Sequence, residues 1–282
     1  MSVKEIVIIS GKGGTGKTTV TSSLIPFYTN ITIADCDVDA PDLDILLKPQ
    51  VVKTEDFIST SKAYIDPSIC TNCGLCQEVC NFNAIEVIND NHVVKDVFCE
   101  GCRVCTLVCK VNAIAIKPYK TGEIFESNTP YGSMIHGRLT PGEEVSGRLF
   151  SEVRRKAKQK ALEENSDIIL IDGPPGIACN VISAITGCSL AIIVTEPTVS
   201  GLHDLIRVYE TAQKLSVKTA IVINKSGLSD TISTKIKKYA IENGIDVLGE
   251  IKLSETIINS INRREIPKLE DNTIINRLMI EY

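Results

Sequence analysis

Residues 4–19 read KEIVIISGKGGTGKTT. The first part of this stretch, KEIVII, is short, apolar and rich in β-branched residues, which predicts a buried parallel strand. The run that follows fits the pattern G-x4-G-K-[ST] over residues 11–18. The next segment, TTVTSSLIPFY, predicts a helix that Pro26 ends or kinks. A strand, this loop and a helix in that order form the setting in which loop N–H groups and the helix N-terminus bind phosphate.

The same motif predicts which side chains contact the phosphates. Lys17 is expected to reach the β- and γ-phosphates, and the Thr18 hydroxyl is expected to lie on Mg²⁺. A later apolar strand, DIILIDGPPG, carries Asp172, which would supply a carboxylate to the metal from a separate part of the chain. The loop and this carboxylate together indicate a site for a nucleoside triphosphate with Mg²⁺.

An acidic cluster, CDVDAPD, begins where the apolar run ITIAD (31–35) ends. Asp35 and Asp37 leave this predicted strand at its carboxyl end, where α/β sheets bind ligands. Asp39 and Asp42 are interpreted as solvated, capping or turn residues. The first two aspartates are therefore the candidates for a role at the site.

The remainder of the chain alternates between predicted strands and helices. Further strands are expected at LAIIVTEPT (190–198), TAIVINKSG (219–227) and IDVLGEI (245–251), with helices at about 201–215 and 230–243. SEVRRKAKQKALEEN is expected to form an exposed helix. Alternating strands and helices imply a parallel sheet with helices on both faces.

A cysteine repeat interrupts this pattern. CTNCGLCQEVC (70–80) recurs as CEGCRVCTLVC (99–109), and each copy is C-x2-C-x2-C-x3-C. Two such runs indicate two [4Fe–4S] clusters, and the fourth cysteine of each run usually ligates the other cluster. Paired zinc sites or disulfides are the alternatives, but zinc prefers paired C-x2-C knuckles over triplets. The predicted ligand sets are Cys70, Cys73, Cys76 and Cys109 for the first cluster, and Cys80, Cys99, Cys102 and Cys105 for the second.

The position of the repeat suggests an insertion into one α/β domain. We expect residues 1–59 and 119–282 to form that domain and residues 60–118 to form the insert. Strand-like runs AIEVI (84–88) and AIAIK (113–117) follow the last cysteine of each copy. Residues 119–150, rich in glycine and polar residues, are expected to form a short hairpin and an ordered loop.

Composition limits the classes of function. With 30 Lys and Arg against 35 Asp and Glu among 282 residues, the chain is mildly acidic, which argues against a general nucleic-acid binder. No apolar run approaches the ~20 residues of a membrane span, and the N-terminus lacks the pattern of a signal peptide. Eleven cysteines, most of them in cluster-type spacing, favour a reducing cytoplasm.

The lysine directly after the first glycine makes the loop more specific. With Lys12, the sequence KGGTGKTT resembles the deviant Walker A motif of the MinD, Mrp and nitrogenase iron protein superfamily. The blocks ADCDVDAPDLDILL, DIILIDGPPGI, VTEPT and VINKSG follow in the expected order. With the repeat between the first two of these, the chain resembles MinD-type P-loop ATPases that contain an inserted ferredoxin domain. This resemblance implies a doubly wound, mostly parallel α/β sheet with an inserted α+β two-cluster ferredoxin-like domain.

The resemblance also implies residue roles. Lys12 would cross a dimer interface to touch the partner's nucleotide, and Asp37 would orient the attacking water; with Lys17 they form the implied catalytic set. Asp35 and Asp172 would join Thr18 around Mg²⁺, and Asn224 would read the adenine with Pro197 nearby. The implied nucleotide-binding residues are Gly11, Lys12, Gly13, Gly14, Thr15, Gly16, Lys17, Thr18, Thr19, Pro197 and Asn224.

The leading hypothesis is a slow ATPase with ATP, Mg²⁺ and two [4Fe–4S] clusters. A nucleotide-switched dimer, either of this chain or with a related ATPase, would control electron transfer to an unidentified redox protein. The alternative is an ATP-dependent scaffold or carrier that passes clusters to an accepting protein. A MinD-like positioning ATPase would need a basic amphipathic C-terminal helix. The tail NTIINRLMIEY contains Arg277 as its one basic residue and is expected to pack on the sheet, so no membrane partner is expected.

The remaining cysteines and the histidines have weaker signals. Cys36 is expected in the core, and Cys179 and Cys188 are interpreted as small buried helix residues rather than cluster ligands. The histidines, His92, His136 and His203, form no ligand pair and are expected at the surface or in packing roles. His136 lies in YGSMIHGRLTPGEEVSGRL, a stretch too glycine-rich and polar for the core, where a partner contact or a surface hairpin is expected.

Overall fold

The computed structural model describes residues 3–37, 42–143 and 146–281. The chain folds into two compact units. The first, called the P-loop unit, comprises Met1–Thr54, Ile124–Arg138 and Ser146–Tyr282. The second, called the cysteine unit, comprises Glu55–Glu123 and Leu139–Val145, and it includes the predicted insert, residues 60–118.

The described residues form strands and helices in an alternating order. The strands are β1 (Lys4–Ser10), β2 (Ile31–Asp35), β3 (Gln50–Ile65), β4 (Ile85–Ile88), β5 (Asn91–Val94), β6 (Ile114–Thr129), β7 (Gly132–Leu139), β8 (Ile168–Pro175), β9 (Leu190–Thr195), β10 (Thr219–Ser226) and β11 (Asp246–Lys252). The helices are α1 (Lys17–Leu24), α2 (Leu43–Leu47), α3 (Leu75–Glu78), α4 (Val104–Val108), α5 (Ser146–Glu164), α6 (Cys179–Ile185), α7 (Val199–Lys214), α8 (Asp230–Glu242), α9 (Glu255–Asn262) and α10 (Thr273–Glu281).

The main sheet has the strand order β11-β10-β9-β1-β8-β2-β7-β6-β3. From β11 to β7 every neighbouring pair is parallel. Because parallel neighbours need crossover connections, helices α5 to α8 pack beside the strands that they join. The predicted doubly wound, mostly parallel α/β sheet is confirmed.

The apolar sequences of the strands place the main sheet in the core of the P-loop unit. Residues 6–9 of β1 are fully or nearly fully buried, as expected for a strand covered by helices on both faces. Helix α1 ends at Leu24 and a 3₁₀ turn follows at Ile25–Phe27, which confirms the predicted effect of Pro26. Helix α5 is not simply exposed as expected, because one face of it, including Leu149 and Val153, is completely buried.

The segment after the cysteine repeat differs most from expectation. Strands β6 and β7 are neighbours in the main sheet with only Pro130 and Tyr131 between them, so the expected hairpin is present but longer than predicted. Strand β3, before the repeat, has 16 residues like β6, and both include residues of both units. His136 lies in β7 and is 5% exposed, so the expectation that its segment is too polar for the core is wrong. Its ring stacks on Phe125 with centroids 4.9 Å apart. Aromatic stacking compensates for the polar sequence around it.

The C-terminal tail packs on the sheet, as predicted. In α10, Ile274, Ile275 and Leu278 are buried and join the apolar core with Leu248 and Ile251 of β11. Gly249 lies so close that an added Cβ would be 2.6 Å from the Ile274 side chain. Within residues 3–37, 42–143 and 146–281, no helix is both long enough and apolar enough to cross a membrane.

We predict that Leu278→Ala lowers the free energy of unfolding by about 2–4 kcal/mol, because it leaves a cavity under α10. Met279→Ala is the matched control, since the Met279 side chain is 52% exposed and its truncation leaves no cavity. Chemical denaturation of both variants measures the difference. Equal losses in the two variants would show that α10 does not contribute to the core.

Candidate functional site

The glycine-rich loop occupies residues 11–16, between β1 and α1. Gly16 has a φ of 93°, and a Cβ added to it would lie 2.1 Å from the Asn224 amide nitrogen. A left-handed backbone angle and this close approach both require glycine. A Cβ on Gly13 would meet nothing within 4 Å, so the outer side of the loop is open. The predicted strand–loop–helix arrangement is therefore present, with room for a ligand along the loop.

Asp172 and Asp35 lie side by side on neighbouring parallel strands. The two residues are direct partners in the register of β2 and β8. Asp172 is fully buried and accepts hydrogen bonds from the hydroxyls of Thr18 (2.7 Å) and Thr21 (2.8 Å). Asp35 accepts the backbone N–H groups of Asp37 (3.2 Å) and Leu43 (3.3 Å). The site therefore concentrates carboxylate and hydroxyl oxygens at the carboxyl ends of two strands.

Burial makes this carboxylate pair costly. Burial raises the pKa of Asp172 to about 6, although the Thr18 and Thr21 hydroxyls and the Lys17 charge oppose the rise. Burial, followed by the charge of Asp172, raises the pKa of Asp35 well above its usual value. A bound cation reverses both effects, because it favours the charged carboxylates. Hard oxygen ligands of this kind fit Mg²⁺.

Lys17 and Asp37 complete the inner part of the site. Both side chains are largely buried, and Lys17 Nζ lies 3.5 Å from Asp37 Oδ2. The structure thus brings together all of the residues predicted for Mg²⁺ and for phosphate contact. Thr15 adds a buried hydroxyl that has no hydrogen-bond partner among the described residues. Such an unpaired polar atom in the loop fits a phosphate ligand. Asp39 lies outside the described residues, and Asp42 is exposed.

Lys12 contacts residues of its own chain. Its Nζ forms an ion pair with Glu196 (2.6 Å) and donates to the Ser200 hydroxyl (3.1 Å). Glu196 also pairs with Lys225 (2.9 Å), whose Nζ donates to the Gly14 carbonyl (2.7 Å). Burial works against ionisation of Glu196, but hydrogen bonds from the two lysines hold its pKa below the usual value. The contact of Lys12 across a dimer interface remains a prediction.

Asn224 forms a hydrogen bond to the backbone of the glycine-rich loop. Its amide nitrogen donates to the Thr15 carbonyl (2.7 Å), and its side-chain oxygen accepts from the Lys225 backbone (2.9 Å). Pro197 is buried just after β9. Adenine recognition by these two residues remains a prediction.

Sequence reasoning missed Thr21, Glu196, Ser200 and Lys225. Thr21 had a local signal, because it lies one helical turn after Thr18 on α1. The other three had none, since β9, α7 and β10 meet the loop only in the folded sheet.

The cysteine unit brings the eight repeat cysteines together in two groups. One cavity is lined by Cys70, Cys73, Cys76 and Cys109, and a second by Cys80, Cys99, Cys102 and Cys105. Each cavity therefore takes three cysteines from one copy of the repeat and the fourth from the other. The first has a volume of about 230 Å³ and the second about 20 Å³, so the second set would have to open further to admit a cubane.

The repeat also has matching local geometry. After the fourth cysteine of each copy, Asn83 and Asn112 adopt positive φ angles of 51° and 54°. The next backbone amide then donates to that cysteine's sulfur, at 3.3 Å for Cys80 and 3.2 Å for Cys109. N–H groups directed at sulfur stabilise a thiolate, which is the form that binds iron.

The eleven cysteines are all free. Among the described residues, no group of three or more His, Cys, Asp or Glu is arranged to hold a single metal ion. In a [4Fe–4S] cubane each thiolate binds a different iron of an eight-atom cluster, so the four cysteines lie farther apart than the ligands of a single ion do. The four-thiolate donor sets and the first cavity, of about 230 Å³, are compatible with such a group, whereas the second cavity is too small as it stands.

The other cysteines and histidines are dispersed. Cys36 is buried as predicted, and Cys188 is buried in the loop before β9, where burial raises its pKa to about 12. Cys179 is exposed at the start of α6, so its predicted burial is wrong. His92 lines the first cysteine cavity, with its Nδ1 3.3 Å from Asn72, and His203 is exposed.

Comparison with known proteins shows where such a chain belongs. The family described as CobQ/CobB/MinD/ParA nucleotide binding domain matches residues 6–267. An uncharacterized protein of Methanocaldococcus jannaschii is 36% identical over 81% of this chain and 80% of its own length. A chloroplastic septum site-determining MinD homolog of Arabidopsis thaliana is 25% identical over 92% of this chain and 66% of its own length.

Solved structures show the same fold. A chain of the MinC:MinD cell division protein complex of Aquifex aeolicus superposes with a TM-score of 0.56 at 18% identity, over 99% of this chain and 97% of that one. The septum site-determining protein MinD of Pyrococcus horikoshii, in complex with Mg-ADP, gives 0.53 at 20% identity, over 94% and 87%.

We predict that Asp172→Asn stabilises the nucleotide-free protein and abolishes its response to Mg²⁺-nucleotide. Since burial raises the Asp172 pKa from 3.8 to about 6, ionisation destabilises the fold as pH rises through that window. At pH 7.5 the variant should therefore gain about 2–3 kcal/mol, and below pH 4 it should gain little. Thermal melting at both pH values, with and without Mg²⁺-ADP, measures this.

Asp167→Asn is the matched control, because Asp167 is an exposed carboxylate just before the same strand. It should leave both the melting temperature and the Mg²⁺-ADP response nearly unchanged. A loss of stability in Asp172→Asn at pH 7.5 would contradict the buried-charge account.

Proposed function

Because the chain belongs to the CobQ/CobB/MinD/ParA nucleotide-binding domain family, we propose that it is an ATPase whose nucleotide state controls electron transfer through two [4Fe–4S] clusters. Membership of a family of nucleotide-binding ATPases supports the first half of this proposal. The iron–sulfur half rests on the cysteine unit. The proposed acceptor or donor is a second redox protein.

In the proposed ATP site, the loop N–H groups and Lys17 hold the phosphates. Thr18, Asp35 and Asp172 would hold Mg²⁺, which would neutralise phosphate charge when bound. Asp37 positions the attacking water, since its carboxylate lies beside Lys17. Phosphoryl transfer needs positioning and charge neutralisation more than covalent help, so these groups suffice.

Dimerisation is part of the proposal. Lys12 leaves Glu196 and contacts the nucleotide of a second subunit, which is either another copy of this chain or a related ATPase. The exposure of Lys12, 34% of its side chain, supports this role, because the ammonium group is already partly in solvent. Glu196 keeps its ion pair with Lys225 when Lys12 leaves it, so exchange for a contact with phosphate does not leave this buried carboxylate unpaired.

One observation carries the iron–sulfur assignment. The two cavities of the cysteine unit are lined by the two crossed sets of four cysteines that ferredoxin-type spacing predicts. In those sets, the clusters would supply one-electron storage at low potential.

A second candidate function is an ATP-dependent scaffold that passes clusters to another protein. The exposure of Cys73 and Cys102 favours it, since a transferable cluster needs accessible ligands. Transfer of iron to a cluster-free acceptor protein in the presence of a chelator would support the scaffold. Reversible one-electron reduction without loss of iron would support electron transfer.

We predict about eight iron atoms per chain after anaerobic purification, because each set holds four. Fewer than about seven, or zinc in place of iron, would contradict the assignment.

The crossed arrangement has its own test in single alanine variants examined by electron paramagnetic resonance of the reduced protein.

Cys70→Ala and Cys109→Ala should perturb the same cluster and leave the same second signal. Cys105→Ala, four residues from Cys109 in the same copy, is the matched control and should perturb the other cluster. If Cys109→Ala instead resembles Cys105→Ala, each copy binds its own cluster and the crossed sets are wrong.

A further inference from the structure

Two buried polar atoms of the P-loop unit lack partners beside the candidate Mg²⁺ site. They are His136 Nδ1 on β7 and Asp44 Oδ1 on α2, and neither has a hydrogen-bond partner among the described residues. Native proteins pair nearly all such atoms, because an unpaired one has lost its water without gaining a bond. One atom is on an imidazole, which can donate, and the other is on a carboxylate, which accepts.

The surroundings of His136 show that these two groups influence each other. Burial lowers the pKa of His136 to about 4, the Asp44 carboxylate raises it, and the Arg138 guanidinium lowers it. Asp35 is its direct partner in the register of β2 and β7. At neutral pH the ring is therefore uncharged, with one N–H to donate. Phe125 stacking fixes the plane of the ring.

Asp44 connects this histidine to the metal site through α2. The preceding residue, Leu43, donates its backbone N–H to Asp35 Oδ2 (3.3 Å). The other carboxylate oxygen of Asp44 lies 3.5 Å from Arg138, whose side chain is 61% exposed. A hydrogen bond that fixes Asp44 would fix the start of α2 and, through Leu43, the Asp35 carboxylate.

We propose that His136 is a positioning residue for the Mg²⁺ site, whose Nδ1–H donates to Asp44 Oδ1 when Mg²⁺-ATP is bound. The proposal rests on the ATPase activity proposed above and adds a residue to it. Nucleotide binding would select this pairing, because a cation held by Asp35 would act on the α2 N–H that bonds to that carboxylate. Two unpaired atoms in the nucleotide-free protein then become one hydrogen bond in the reacting state, which is a differential interaction that a ligand can select.

Nuclear magnetic resonance of the imidazole nitrogens tests this pairing in the full-length protein, which has three histidines. The His136 signals are assigned by their loss in His136→Asn. On addition of Mg²⁺ and a non-hydrolysable ATP analogue, the Nδ1 position should carry the proton, and the Nδ1 signal should move to the position of a hydrogen-bonded N–H. An unchanged tautomer and an unchanged Nδ1 signal at saturating analogue would overturn the proposal.

A matched pair of variants separates positioning from packing. Asparagine places its side-chain nitrogen near the position of Nδ1, whereas glutamine reaches toward that of Nε2. His136→Gln should therefore lower kcat about tenfold with little change in KM, because the lost bond forms only in the reacting state. His136→Asn should stay within about twofold of the wild type. Equal losses in the two variants would indicate a packing role only.

The Asp44 side of the pair has its own control. Asp44→Ala should lower kcat as His136→Gln does, and the double variant should lose no more than either single one. Arg138→Gln removes the ion pair to Asp44 and keeps both the His136 and the Asp44 side chains, so it should lower kcat less than Asp44→Ala does. Additive losses in the double variant would overturn the pairing.

These results are distinguishable from failure of the proposed ATPase function. If the wild type hydrolyses no ATP but His136 responds to the analogue, the ATPase assignment fails and the pairing stands. If the wild type hydrolyses ATP and the His136 variants behave alike, the pairing fails and the ATPase assignment stands.

Discussion

Two buried carboxylates, Asp35 and Asp172, are the constraint on which the P-loop unit depends. They face each other from neighbouring parallel strands, and burial raises both pKa values. Two adjacent carboxylates in a low-dielectric site repel each other when both are ionised, and burial removes the water that would stabilise their charges. The fold compensates only in part, with two threonine hydroxyls, two backbone N–H groups and the Lys17 ammonium. A divalent cation completes the compensation, so the fold itself prepares the site for Mg²⁺-nucleotide.

The predicted ligand residues are supported by further polar residues that contact them. Thr21 has no predicted ligand role, yet it saturates the second oxygen of Asp172. Glu196 forms ion pairs with both Lys12 and Lys225 beside the glycine-rich loop. In the nucleotide-free structure both lysines share the Glu196 carboxylate, which offsets part of their mutual repulsion. Incoming phosphate competes with a carboxylate for these cations.

The sequence predicted the features whose signals are local. Strand β2 was found at its observed bounds because an apolar run ends abruptly in acids, and α1 ended before Pro26 as expected. Cysteine spacing also predicted which residues gather in the cysteine unit. The lengths of β3 and β6 and the burial of His136 were missed, because they arise from pairing with strands distant in sequence. Periodicity in one segment carries no information about such partners.

Chain order gives the proposed control a physical basis. The main part of the cysteine unit, Glu55–Glu123, lies in the chain between α2 and β7, and β7 is the parallel neighbour of β2. The most direct measurement is an anaerobic reductive titration of the clusters with Mg²⁺-ADP and with a non-hydrolysable Mg²⁺-ATP analogue. The account predicts a difference of at least 30 mV between the two states, roughly a threefold change in a one-electron equilibrium. Identical potentials, together with nucleotide-independent reduction of a partner protein, would contradict ATP control of electron transfer.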